Sequence, residues 1–318
     1  MAKAMHYHAK YFNHPDSDQA EGGYHAMGKV RDVFNGEQYQ SMLHTPMVLK
    51  GEQTGAAFFE GKHNVALSLS TDGFCPFKQR KLTTWPIILF NYNLPPKICV
   101  HLDNIICIGA VPGPKAPKEM DSFISPLIDE LLQLVEGIGT FDASSEKGEA
   151  FILCAHLLSV FGDMPAIAKV MWMKGHNGIA PCHCCKITGL WIPDTCSSAH
   201  YVPLDQSRHP HVKDDIHVYD AAKLPLWTHD EMLSQAAKVD AVPNITQANR
   251  LATKYGINGT PALAQLPSIL LPESFPLDFM HLIWENLIPN LVRLWTSEFK
   301  ELRGGNFELN KTVWKAIG

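Results

Sequence analysis

VALSLSTDGF, Val65 to Phe74, decides how this chain is read. Strand side chains alternate with period two. Val65, Leu67 and Leu69 therefore fall on one side, and Ala66, Ser68, Ser70 and Asp72 on the other. The stretch predicts a β-strand over 64–71 with one apolar face. Asp72 leaves its end from the small-residue side, where a cleft can form. Gly73 permits a bulge or sharp bend. Asp-Gly is also an ordinary turn pair, so Asp72 gains meaning only from what the rest of the chain brings to it.

Working outward, WPIILFNY (Trp85–Tyr92) reads as a second strand, closed by Asn93-Leu94-Pro95-Pro96. NIICIGAV (Asn104–Val111) reads as a third, closed by Pro112-Gly113-Pro114. Their close spacing predicts an antiparallel meander. Ile124, Leu127, Ile128, Leu131 and Val135 recur at helical spacing and predict a helix over 121–136, with Asp121 as N-cap. Phe151 to Gly162 is apolar on both faces, as in a central strand. It ends at Asp163, and a helix follows from Met164 to Lys174.

Four segments result. Residues 1–63 are a polar lead-in, irregular or partly helical. Residues 64–175 hold the first part of the core. Residues 176–266 read as an irregular insertion rich in Cys, His and Pro, with a helix at Thr228–Lys238. Residues 267–318 complete the core, with a short strand within Ser268–Phe279. A long helix from His281 to Leu302 then sets Trp284, Leu287, Ile288, Leu291 and Trp295 on one face.

Composition narrows the function classes. Apolar residues make up 46% of 318, enough for a sizeable core and against general disorder. The net charge of −5 argues against a free-standing nucleic-acid-binding domain but not against a catalytic domain, whose metal site is itself acidic. Eight cysteines without an export signal point to a reducing compartment. The Phe151–Gly162 stretch falls far short of the ~20 apolar residues that span a bilayer, so no membrane role is expected.

Three strands, a helix, a central strand and a late helix follow the ribonuclease H-like order: a mixed α/β sheet flanked by helices, here with a Cys/His-containing insertion before the last core helix. In that order the first strand, the fourth strand and a late helix each bring one carboxylate. Asp72, Asp163 and Glu285 occupy those places. Hard cations such as Mg²⁺ or Mn²⁺ take oxygen ligands, and two of them about 3.5–4 Å apart activate a water or 3′-hydroxyl and stabilise the leaving oxygen. The bland readings stand beside this. Asp163 also suits the N-cap of the following helix, with Pro165 in its first turn, and Glu285 also suits a solvated helix surface.

Cys182 and Cys185 have the spacing of two zinc ligands on one loop. His281 is a third candidate. His200, Cys196 and His176 compete for the fourth place, in that order. A redox pair or packed free thiols are the alternatives. Asp278, His281 and Glu285 fall on one helical face. Lys78, Arg80, Lys81 and Lys115 are candidate DNA-phosphate contacts.

Five phrases carry a family resemblance: LSLSTDGFCPFKQRKLTTWPIILFNYNLPP (67–96), GAVPGPKAPKEMDSFISPLIDELLQL (109–134), FGDMPA (161–166), APCHCC (180–185) and DFMHLIWEN (278–286). They resemble the CACTA (En/Spm) transposases, most closely the fungal branch, over roughly residues 25–318. The resemblance implies a nuclear, cut-and-paste DNA transposase that uses Mg²⁺ or Mn²⁺. Such an enzyme cleaves at terminal inverted repeats and joins the freed ends to target DNA, acting as a homo-oligomer. Its acidic triad maps onto Asp72, Asp163 and Glu285. Its Cys-x-x-Cys and Asp-x-x-His motifs map onto Cys182, Cys185, Asp278 and His281, with structural zinc. Family members are usually longer, so the alternative is an inactive, zinc-stabilised fragment that binds DNA or protein.

Overall fold

In the computed structural model the described residues are 4–5, 32–61, 63–77, 82–144, 146, 148–191, 200–207, 216–299 and 305–317. The chain divides into two compact units, Met1–Pro276 and Leu277–Gly318. No helix among the described residues is long and apolar enough to cross a membrane.

The first unit is α/β, built on a mixed four-stranded sheet flanked by helices. Its strands are β3 (Val65–Thr71), β4 (Thr84–Asn91), β5 (Ile106–Pro112) and β8 (Ala155–Phe161), in the order β5-β4-β3-β8. β3–β4 and β4–β5 are antiparallel, the meander expected from their spacing. β3–β8 is parallel. Strands β3, β5 and β8 therefore all end at the same edge of the sheet.

Between β5 and β8 runs α3 (Asp121–Glu136). Its buried residues are Ile124, Leu127, Ile128, Leu131 and Val135, the predicted helical stripe. Asp121 is not its cap. Met120 holds that position, and Asp121 accepts the Ala262 N–H at 3.0 Å. Burial raises the pKa of that carboxyl. Gly137, at a φ of 97°, ends α3 and turns the chain into the hairpin of β6 (Ile138–Phe141) and β7 (Ala150–Leu153).

The Phe151–Gly162 stretch is thus not one central strand. It splits at Cys154, and β8 lies at the edge of the sheet. It is buried nonetheless, because the chain from Leu270 to Phe275 lies along that edge. Val160 N–H donates to Ser274 O at 2.8 Å, and Gln38 Nε2 reaches Leu158 O at 2.9 Å. This is also the fate of the strand expected within Ser268–Phe279: the segment is a series of turns with one ladder-like bond.

β3 is covered on both faces rather than one. Val65, Leu67 and Leu69 join the main core with α3. The opposite face, with Ala66 and Leu158, packs on Phe34, Tyr39, Met42, Met47, Phe58 and Phe59. Those residues come from α1 (Glu37–Met42), the hairpin of β1 (Pro46–Leu49) and β2 (Glu52–Ala57), and the turns beside them. This second layer falls in the stretch expected to be an irregular or partly helical lead-in. His156 lies inside it, fully buried, with Phe58 and Phe59 edge-on at 5.3 and 5.0 Å. A four-residue helical turn, α2 (Pro96–Cys99), follows β4 at the far end of the sheet.

After β8 comes α4 (Met164–Val170), shorter than the predicted helix because Trp172 takes a φ of 49°. The region read as irregular holds the short pair β9 (Leu190–Trp191) and β10 (His200–Tyr201), and two helices rather than one. α5 (His229–Asp240) starts with a Thr228–Glu231 capping box. α6 (Ile245–Tyr255) starts at Asn244, whose side chain accepts from Thr246 and Gln247, and ends at left-handed Gly256. Trp227, Met232, Ala236, Ile257, Leu263 and Phe275 join the main core, so this region is part of the same packed body.

In the second unit the predicted helix begins with a π-helical stretch, Met280–Leu287, and continues as α7 (Ile288–Trp295). Pro289 explains the break. It has no N–H for the Glu285 carbonyl, and its ring crowds that carbonyl. Ser297, at a φ of 63°, follows the end of α7. A last helix, α8 (Lys311–Ile317), follows residues outside the described set.

Candidate functional site

The β3–β8 register decides the site. Ser70 pairs with Phe161 in the parallel ladder. Asp72 and Asp163 each stand two residues further on, so two positions 91 apart in sequence emerge side by side from adjacent strands. Gly162 makes the approach close: a Cβ there would come within 2.7 Å of the Thr71 carbonyl oxygen. Asp163 caps α4, its Oδ1 accepting from Ala166 N–H at 2.7 Å. The Asp72 Oδ1 accepts from Gly73 N–H at 2.6 Å. Both carboxylates are partly exposed.

The β3–β4 pairing shows why the chain opens here. Thr71 pairs with Ile87, and the bridge resumes at Phe74 and Thr84. Register is kept, so Gly73 makes no bulge. Asp72 stands opposite Pro86 and Gly73 opposite Trp85. Phe74 and Thr84 exchange both backbone bonds, at 3.1 and 2.8 Å. By alternation the Asp72–Pro86 rung is also a hydrogen-bonded one, but proline has no N–H to give. That rung beside the carboxylate therefore lacks one of its two bonds.

Gly73 packs on the Trp85 indole, where a Cβ would lie 2.5 Å from Cε2. The Trp85 ring is buried, and its Nε1 has no hydrogen-bond partner among the described residues. Lys169 of α4 lies over that ring at 5.9 Å and donates to Pro117 O at 3.0 Å. Sequence reasoning missed Lys169 and Trp85. The available signal was the placement of Lys169 on the helix that Asp163 starts.

The loop after β5 reaches the same edge. Thr83 Oγ1 donates to Pro114 O at 3.3 Å, and the neighbouring Lys115 is exposed. Lys78, Arg80 and Lys81 lie outside the described residues, as does Cys196.

In the loop after α4, Cys182 and Cys185 do come together. Cys182 Sγ accepts from the N–H groups of Cys184 and Cys185 at 3.3 and 3.4 Å. Hydrogen bonds from the Cys184 and Cys185 thiols, with those N–H groups, hold the Cys182 thiol well below its ordinary range. The same bonds push its two neighbours up. His183 is buried with Nε2 3.0 Å from Phe275 O. His176 is exposed, and His200 sits in β10, with its side chain outside the described set.

Asp278, His281 and Glu285 belong to the second unit and form a chain of contacts within it. His281 Nδ1 lies 2.7 Å from Asp278 Oδ2, and its Nε2 lies 3.8 Å from Glu285 Oε2. Burial works to raise the Asp278 pKa, but the His281 side-chain and backbone bonds bring it below the ordinary carboxylate value. Among the described residues no three His, Cys, Asp or Glu side chains are grouped to hold a metal ion.

No curated protein matches the chain. The sequence model of transposase family tnp2 matches residues 49–219, taking in Asp72, Asp163 and the Cys182–Cys185 loop. That match spans more than half of the chain. With the two aspartates and the cysteine loop inside it, the chain belongs to the transposase family tnp2.

Proposed function

We propose that this chain is the catalytic domain of a cut-and-paste DNA transposase with a ribonuclease H-like core, of the CACTA type. The observation that carries the reading is the emergence of Asp72 and Asp163 from adjacent parallel strands at one sheet edge. Their donor set suits hard divalent cations: carboxylate oxygens, partly exposed, each with one oxygen steadied by a backbone N–H. Asp72 and Asp163 would hold Mg²⁺ or Mn²⁺ there. Such ions supply Lewis acidity toward a water or 3′-hydroxyl and toward the leaving oxygen.

The protein's own part is to place and steady. Pro86 leaves one ladder bond unmade opposite Asp72, and the Trp85 indole packs against Gly73 beside it. The Asp163 bond to Ala166 fixes one carboxylate oxygen. Lys115 and Lys169 put positive charge on the same edge, where DNA phosphates would lie, and Lys78, Arg80 and Lys81 follow Asp72 in sequence. Cys182 and Cys185 would hold a structural zinc, with His200 as a further ligand. DNA partners would be terminal inverted repeats and target DNA, handled by a homo-oligomer in the nucleus.

The test is nicking of supercoiled plasmid in Mn²⁺ by the full chain, alongside Asp72→Asn and Asp163→Asn. The wild type should nick, and each variant should lose at least ~100-fold in rate. Equal nicking by wild type and variants would discard the assignment. Absence of nicking by the wild type would favour the inactive, zinc-stabilised module.

A further inference from the structure

A second basic surface lies outside the carboxylate edge. Helix α6 turns Ala248, Leu251, Ala252 and Tyr255 toward the protein, and only Ala252 is fully buried. Its outward face carries Thr246, Asn249, Arg250, Thr253 and Lys254, all exposed. No Asp or Glu occurs from 241 to 272, in a chain where acids outnumber Lys and Arg by 32 to 27. The nearest carboxylate before it, Asp240, is occupied in accepting the Thr260 N–H at 3.0 Å.

Lys174 adds a third cation. Its backbone N–H donates to Gly256 O at 2.9 Å, which sets this exposed residue at the end of α6. The bridge between Met173 and Ile257 fastens the same point to the segment leaving α4. α4 begins at Asp163 and has seven residues. At ~1.5 Å per residue it spans roughly 10 Å, well inside one duplex turn of about 34 Å.

We propose that the outward face of α6, with Lys174 beside it, is a contact surface for duplex DNA. Arg and Lys neutralise phosphates and release counterions. Asn and Arg also match the hydrogen-bonding edges of adenine and guanine, and the threonine methyl suits that of thymine. A face of this composition is hydrated, and Ile245, exposed at the first position of α6, lies at its flank rather than among its cations. The identity of the DNA as the duplex being cut rests on the transposase reading above; the contact itself does not.

The experiment is fluorescence anisotropy of the full chain with a 30-base-pair duplex, without added divalent cation, across a salt series. The variants are Arg250→Ala/Lys254→Ala, and Lys97→Ala as control. Lys97 is exposed beyond the far end of β4. Circular dichroism checks that each is folded. The double variant should bind at least ~10-fold more weakly and lose about 1.8 from the slope of log K against log salt. Lys97→Ala should match the wild type. Equal binding by the double variant and wild type, or no duplex binding by the wild type, overturns the inference. A chain that binds through α6 but nicks nothing would overturn the proposed chemistry and leave this contact standing.

Discussion

Gly73 lies against Trp85 so closely that the first carbon of any side chain would fall inside the indole's contact distance. The two residues face each other across β3 and β4, one step beyond the Asp72 carboxylate. Seating this stretch of backbone on a buried ring fixes its path without a side chain of its own.

Gly73→Ala should therefore destabilise the fold by about 1–3 kcal/mol through overpacking. Trp85→Leu should offset part of that cost in the double variant. Urea unfolding of both single variants and the double variant reads the coupling. Strict additivity would mean that the two residues do not press on one another.

Asp163 has two roles that substitution can separate. Asp163→Asn keeps an oxygen able to cap α4 at Ala166 and should keep stability within a few tenths of a kcal/mol. Asp163→Ala should cost about 1 kcal/mol. Thermal melts should thus rank the two variants differently from plasmid nicking, which both should lose. Equal melting losses would place the structural role elsewhere.

His156 makes stability depend on pH. Burial among aromatic rings lowers its pKa from 6.5 to about 4, so the fold holds it neutral. Above pH 6.5 folded and unfolded chains carry the same charge there, and the full stability is present. As pH falls from 6.5 towards 4 the unfolded chain takes up a proton that the fold refuses, and up to ~3 kcal/mol is lost. Below about 4 both states are protonated and this loss levels off. His156→Leu should remove that component, seen as a flatter dependence of urea midpoints between pH 7 and 4.5.

Gln38 ties the second layer to the sheet edge. Its amide donates to Leu158 O at 2.9 Å and to Ser274 Oγ at 2.7 Å. Gln38→Ala should cost about 1–3 kcal/mol and speed hydrogen exchange at Val160. An unchanged exchange rate at Val160 would show that the edge is held without it.

The legible parts of this protein are those where one segment carries its whole signal. α3 was readable because five apolar residues sit at helical spacing and all five are buried. The neighbouring strands that lead to Asp72 and Asp163 were readable because both are apolar and each ends just before an aspartate. What stayed hidden depends on distant partners. The second layer rests on Phe34, Tyr39, Phe58 and Phe59, whose spacing follows neither a helical nor a strand period. β8 looked central because remote residues bury its open side. α6 has its inward residues, Ala248, Leu251, Ala252 and Tyr255, at helical spacing, but lies in the stretch read as an irregular insertion. The late helix looked regular because Pro289 hides within a run of good helix formers. Lys169 and Trp85 became visible beside the site only once the sheet had brought them there.

The cover over β8 has a consequence for how the molecule meets its neighbours. With Val160 and Leu158 already satisfied by Ser274 and Gln38, that flank offers no template for an added strand. β5, with Ile106 and Ile108 exposed, lies at the opposite flank. Among the described residues, the open flank of the four-stranded sheet is therefore the one at β5, where a partner chain or unwanted aggregation could extend it.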